Sequence, residues 1–248
     1  MEIGKYTDVG MGREINEDDA VAQIARIVIG GKDHAMYILG VADGLGGHES
    51  GEVASAFVCQ RLTLLAGWDV REGPTPKSLR HFVQYLHRKL RGMKTSGRYG
   101  DMGTTLTFGL VIRNKAYVVN VGDSRAYLFH DTKLRRITKD HSVVQELLDM
   151  GTIDPEEAFE HPMRHLVTQA LGLENEIAPD VYELDLAKGD LLLFSTDGLH
   201  DTLRDTEIEA LVSQNIEKSA QELVKLLVEE ALDKEARDNV TVVVGRVV

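Results

Sequence analysis

Val41-Ala42-Asp43-Gly44-Leu45-Gly46-Gly47-His48 is the stretch from which the fold can be read. The apolar run Met36 to Ala42 reads as a buried strand, and it ends in a carboxylate followed by three glycines in four positions. A carboxylate at the mouth of a buried strand is costly to desolvate unless positive charge meets it. The glycines let the backbone turn sharply and approach a ligand, and the Gly44 carbonyl is available as a further oxygen donor. Asp-Gly is also ordinary strand-to-helix punctuation. The choice between a plain turn and a metal site therefore falls to the rest of the chain.

Upstream, a first strand is expected over Gly4 to Asp8, then the polar turn Val9 to Ile15 and the cluster Asn16-Glu17-Asp18-Asp19, with Arg13 just before it. On its own that cluster equally fits a solvated loop with local ion pairs. Val21 to Ile29 and Met36 to Val41 bracket Gly30-Gly31-Lys32-Asp33 and predict a hairpin whose return limb delivers Asp43.

Downstream, Ser50 to Leu65 and Leu79 to Leu90 have helical spacing with one apolar face each. His81 and His87 lie off the second stripe and are expected to be exposed, and Arg91 to Met102 is expected to be a loop. Thr104 to Ile112, Ala116 to Val121, Arg125 to Phe129 and Leu134 to Thr138 read as short strands, with Gly122-Asp123-Ser124 between the second and third. Residues 140–172 turn helical again, and Asp154-Pro155-Glu156-Glu157 supplies a cap, a first-turn proline and two acids. His161 and His165 lack the spacing of a His-rich zinc site. Val181 to Asp185 and Asp190 to Thr196 return to strand, and the second ends in Asp197-Gly198. Thr206 with Glu209, and Ser219 with Glu222, have capping-box spacing ahead of two closing helices. Arg237-Asp238-Asn239 then introduces the β-prone segment Val240 to Val248.

The 248 residues show no repeat, low-complexity tract or linker, so one domain over 1–248 is expected. Net charge is −12 with scattered Lys and Arg, which argues against nucleic acid as a partner and suits cations. The single Cys59 cannot form an intramolecular disulfide, and it lacks the setting of a catalytic thiolate. No stretch approaches the roughly 18 apolar residues of a membrane span, and no leader pattern opens the chain. A cytoplasmic monomer with no membrane partner is the expectation.

Asp43, Asp123, Asp197 and Asp238 each border an apolar strand, and three of them touch a glycine. Four such residues suggest one edge where strand ends converge. Carboxylates crowded there raise one another's pKa unless divalent cations neutralise them. A donor set of oxygens alone favours Mg²⁺ or Mn²⁺ over Zn²⁺. Two such ions can share a carboxylate, activate water and stabilise charge on a phosphoryl group, and Arg13 suits a forked contact to phosphate oxygens.

Six ordered motifs carry a resemblance: Arg13-Glu14-Ile15-Asn16-Glu17-Asp18, Asp43-Gly44-Leu45-Gly46-Gly47-His48, Gly103-Thr104-Thr105, Val121-Gly122-Asp123-Ser124-Arg125, Ser195-Thr196-Asp197-Gly198 and Asp238-Asn239-Val240-Thr241. The chain resembles the PP2C-type (PPM family) metal-dependent protein Ser/Thr phosphatases of the compact bacterial kind, over nearly its whole length. The resemblance implies an α+β fold, a four-layer α-β-β-α sandwich with two central antiparallel sheets flanked by helices. It implies two Mn²⁺ or Mg²⁺ ions bridged by Asp43, with the Gly44 carbonyl and Glu17 on one and Asp197 and Asp238 on the other. Asp123, sharing Asp197, would add a third ion. Asp18 and Asn239 support the cluster, Arg13 holds the substrate phosphate, and residues 140–172 form a flap beside the site. Asp43, Asp197 and Arg13 would carry catalysis by in-line attack of a metal-bound hydroxide on phosphoserine or phosphothreonine in proteins, opposing a bacterial Ser/Thr kinase. Eukaryotic members place a His two residues after the bridging Asp, where this chain has Leu45. That leaves His48, a metal-bound water or no group of the protein as general acid. Two other readings stand beside this one, a phosphatase dedicated to an anti-sigma-factor antagonist and a catalytically silent phosphoprotein-binding module.

Overall fold

The computed structural model describes residues 1–29, 31–46, 50–67, 73–95, 102–173 and 176–248. In chain order the elements are β1 (Glu2–Asp8), β2 (Asp19–Ile29), β3 (Lys32–Ala42), β4 (Gly44–Leu45), α1 (Gly51–Leu62), α2 (Pro76–Thr95), β5 (Gly103–Thr104), β6 (Leu106–Ile112), β7 (Lys115–Val121), β8 (Arg125–His130) and β9 (Lys133–Arg136). Then follow α3 (Val143–Asp149), α4 (Pro155–Phe159), β10 (Asp180–Asp185), β11 (Leu191–Ser195), α5 (Asp197–His200), α6 (Asp205–Gln214), α7 (Ala220–Asp233) and β12 (Val240–Arg246).

Two five-stranded sheets, in the orders β1-β12-β11-β8-β9 and β10-β7-β6-β3-β2, carry antiparallel pairs throughout. The period-two alternation of β-strands decides what each face touches. On β12, Val242 and Val244 join the core under α6 and α7, while Val243 points the other way into the core between the sheets. On β11, Leu191 and Leu193 face the helices and Leu192 and Phe194 face the second sheet. Val58, Leu62, Leu79 and Leu86 of α1 and α2 cover the outer face of that second sheet through Ile38, Phe108 and Leu110. The layer order is therefore the expected α-β-β-α, and the near-continuous apolar runs of β6 and β11 follow from burial on both faces.

Several local expectations are corrected. α2 runs on to Thr95, because Met93 still packs on the core and prolongs the apolar stripe into the segment expected to be a loop. His87, expected to be exposed, is buried, and its Nδ1 accepts the Gly172 N–H at 3.2 Å. α6 begins at Asp205, so Thr206 is not its cap. Glu209 instead accepts the Leu134 N–H at 2.8 Å, across from β9. The Ser219/Glu222 capping box and the Asp154/Glu157 one are both present. β10 and β11, consecutive in sequence, lie in different sheets.

Register fixes where the site lies. In the first sheet Asp8 pairs with Val240, and Ser195 pairs with both Val242 and Arg125. In the second, Asp19 pairs with Ala42, Val41 with Thr107, and Leu106 with Val121. The ends of β1, β3, β7 and β11 and the starts of β2, β6, β8 and β12 thus share one edge of the sandwich, and the acidic loops leave from it.

Candidate metal centre and active site

Asp43 follows the last residue of β3 and is held by its backbone. Its N–H donates to Thr105 Oγ1 at 3.0 Å, and its carbonyl accepts the Thr105 N–H and the Thr104 hydroxyl, each at 2.9 Å. Gly44 then packs so tightly that a Cβ would lie 2.4 Å from the Gly51 carbonyl and 2.5 Å from the Glu17 carbonyl oxygen. Its own N–H bonds to that Glu17 oxygen at 3.1 Å. Glycine at this position is thus a packing requirement that brings the Glu17 loop, the strand end and the start of α1 together.

Asp123 sits in the three-residue crossing from β7 to β8. Gly122 precedes it at φ +112°, a conformation L side chains avoid, with a Cβ there only 2.6 Å from the Thr105 side chain. His141 locks the turn from the other side, its N–H on the Gly122 carbonyl at 2.9 Å and its Nδ1 accepting the Gly122 N–H at 3.2 Å. Asp197 opens α5 directly after β11. Asp238 stands before β12 and accepts from Arg13 Nη2 at 2.8 Å, while Glu17 lies 3.9 Å from Arg13 Nη1. Arg13 itself is half exposed on the rim, at 49% of its side-chain surface.

Asn239 bonds to three backbone groups of the loop between β1 and β2. Its Oδ1 accepts the Glu17 N–H at 2.8 Å, and its Nδ2 donates to the Val9 and Ile15 carbonyls at 2.8 and 3.1 Å. Asp18 lies beneath, with Oδ2 accepting the Thr196 and Thr241 hydroxyls at 2.8 and 2.7 Å. Its other oxygen, Oδ1, is buried with no partner. His48 lies outside the described residues.

Crowding shows in the protonation of the acids. Burial pushes Asp43 well above the ordinary carboxylate range, with Asp197, Asp18, Asp123 and Asp238 adding repulsion. Asp197 is raised in the same way, first by burial and then by Asp123, Asp201 and Asp238. Asp18 and Asp123 are each pushed up to about 7, again mainly by burial. Such a set holds mutual repulsion that a divalent cation would relieve. The orphaned Asp18 Oδ1 is a further unmet acceptor at the same edge. Acids of this kind, with mainly oxygen donors, fit Mn²⁺ or Mg²⁺.

Two neighbours of this cluster were not picked out from the sequence. Asp201, Asp197 and His165 have ligand atoms within 4.8 Å of one another, which brings one imidazole to a set read as oxygens alone. Asp201 Oδ2 also meets His165 Nδ1 at 3.1 Å and Arg164 Nε at 3.2 Å. The signal for Asp201 was available: it stands four residues after Asp197, one helical turn on, and its N–H bonds to the Asp197 carbonyl at 2.7 Å. Nothing in the sequence spacing points to His165, which arrives from 140–172, far from Asp197 along the chain.

Comparison with known proteins bears out the resemblance carried by the motifs. Residues 12–238 match the family model described as protein phosphatase 2C. The chain is 34% identical over 246 residues to protein phosphatase PhpP of Streptococcus pneumoniae, covering 98% of this chain and 96% of that one. Its fold is similar to the crystal structure of the Mycobacterium tuberculosis serine/threonine phosphatase PstP/Ppp, with a TM-score of 0.85 at 35% identity over 99% of this chain and 97% of the other. The catalytic domain of PstP in complex with 2 manganese ions superposes with a TM-score of 0.82 at 34% identity, over 98% and 96% of the two chains. With a family match over most of its length and relatives covered nearly end to end, this chain belongs to the protein phosphatase 2C family.

Proposed function

We propose that residues 1–248 act as one catalytic domain that hydrolyses phosphoserine and phosphothreonine in proteins, opposing a bacterial Ser/Thr kinase. The observation that carries this reading is the meeting of Asp43, Asp197, Asp238 and Glu17 beside Arg13 on one sheet edge, with the Asp18 oxygen unmet beneath them. Asp43, the Gly44 carbonyl, Glu17, Asp197 and Asp238 would hold two Mn²⁺ or Mg²⁺ ions, with Asp123 and Asp197 toward a third. Bound there, the cations supply Lewis-acid neutralisation of phosphoryl charge and lower the pKa of water.

The chain's own residues do the rest. Arg13 offers its guanidinium to the phosphate oxygens, and Asp238 and Glu17 keep it charged and aimed at the acidic edge. Asn239 fixes the Glu17 loop, and Asp18 braces β11 against β12 through the two threonines. Attack in line by water releases inorganic phosphate directly, and a cysteinyl-phosphate route is disfavoured because Cys59 is buried and its thiol is pushed up by that burial. Water serves as the proton source for the leaving serine or threonine. Among the described residues no helix is long and apolar enough to cross a membrane. The reading extends to a monomer acting on phosphoproteins in the cytoplasm. Release of phosphate from a phosphothreonine peptide with Mn²⁺, abolished by EDTA, is the expected result. Peptide bound but never hydrolysed would overturn the reading in favour of a binding module.

A further inference from the structure

A cavity of about 440 Å³ lies between the 140–172 segment and the sandwich. Its lining includes Asp123, Asp197 and Asp201, so it is continuous with the acidic edge. The volume is within the range of sites that enclose ligand groups. Val144 and Leu148 of α3, with Pro155, Ala158 and Phe159 at α4, give it an apolar wall.

The charges around this wall are already spent on one another. Arg125 meets Asp140 at 2.7 Å, Arg136 meets the same carboxylate at 3.3 Å, and Arg164 meets Asp201 at 3.2 Å. Arg204 pairs with Glu156 at 2.7 Å and stacks over Phe159 at 4.3 Å. Each guanidinium of the lining already faces a carboxylate, and an acidic side chain entering here would also face Asp140, Glu156 and Asp205. What remains to be satisfied is the apolar wall.

The occupant follows from continuity. A phosphoresidue held at the acidic edge has neighbours whose Cα atoms lie about 3.8 Å away per residue, close enough to drop a side chain into a cavity that shares Asp123 and Asp197 with that edge. Resting on the phosphatase reading above, we propose that this cavity is a substrate subsite for an apolar side chain one or two residues from the phosphoserine or phosphothreonine. It selects leucine-sized apolar groups and rejects acidic ones.

The test uses phosphothreonine peptides with Leu, Gly, Lys or Asp at each flanking position, and p-nitrophenyl phosphate as a substrate with no flanking residue. The expected result is a kcat/KM about 10-fold higher for Leu than for Gly at one flanking position, with Asp lower still. Ala158→Trp, which fills the cavity, is expected to reduce that preference to less than about 2-fold while p-nitrophenyl phosphate turnover stays unchanged. Leu148→Glu, a change on a partly exposed helix face, is expected to move the preference from Leu to Lys. Equal kcat/KM for all peptides, or a leucine preference that survives both substitutions, would overturn the subsite. A parent chain that turns over neither peptide nor p-nitrophenyl phosphate would overturn the phosphatase reading itself and the subsite with it.

Discussion

Removing divalent metal should make the protein lose stability as pH rises through neutrality. Asp18 and Asp123 are raised from 3.8 to about 7 by the fold. For a raised carboxyl the native state holds a proton that the unfolded chain has released. Its contribution is therefore complete below the unfolded value and is lost as pH climbs through the folded one. From pH 6.5 to 8.5 the linkage relation gives a loss of about 1 kcal/mol for each of these two groups, about 2 kcal/mol together. Asp43 and Asp197 are raised too, first by burial and then by the neighbouring carboxylates, and act in the same direction. His87 and His200 are lowered by burial and act in the opposite direction. Urea unfolding of chelator-stripped protein, followed by circular dichroism at pH 6.5, 7.5 and 8.5, should show a net fall in stability from the first pH to the last. With saturating Mn²⁺ the fall should vanish, because binding draws on the deprotonated acids. A metal-free protein as stable at pH 8.5 as at 6.5 would refute the idea that these carboxylates repel one another in the fold.

Other expectations follow from the same geometry. Gly44→Ala places a methyl 2.4 Å from the Gly51 backbone, and should cost about 1 to 3 kcal/mol by thermal unfolding while weakening Mn²⁺ binding measured by calorimetry. Asp140→Asn strips Arg125 and Arg136 of their shared, buried partner; a loss of about 3 kcal/mol is expected in denaturant unfolding. Asn239→Ala removes three hydrogen bonds that tie the Glu17 loop to β12, and should cost about 2 kcal/mol and lower Mn²⁺ affinity. Unaltered Mn²⁺ affinity in that variant would deny Asn239 its positioning role.

The strand ends were legible because each is an apolar run closed by a carboxylate, a pattern that solvation energetics makes conspicuous at Ala42-Asp43, Val121-Gly122-Asp123 and Ser195-Thr196-Asp197. The layer order came from the resemblance that the family motifs carry, and the helix and strand blocks agree with it. What stayed hidden was decided by partners distant in sequence. Glu209 has cap spacing from Thr206, yet the Leu134 N–H captures it. His87 looks exposed on a helical wheel and is buried by its bond to Gly172. The placing of β10 and β11 in separate sheets depends on their pairing with β7 and with β8 and β12. His165 reaches the site only because 140–172 folds back to meet Asp201, which itself stands one helical turn after Asp197.

The most direct measurement is turnover of a phosphothreonine peptide by Asp197→Asn across a Mn²⁺ titration, with bound metal counted in the same samples. Asp197 adjoins Asp123, Asp201 and Asp238, so its neutralisation should remove at least one bound ion and lower kcat by about 100-fold or more. Parent-like turnover with the full complement of Mn²⁺ would contradict a metal-dependent phosphatase built on this edge.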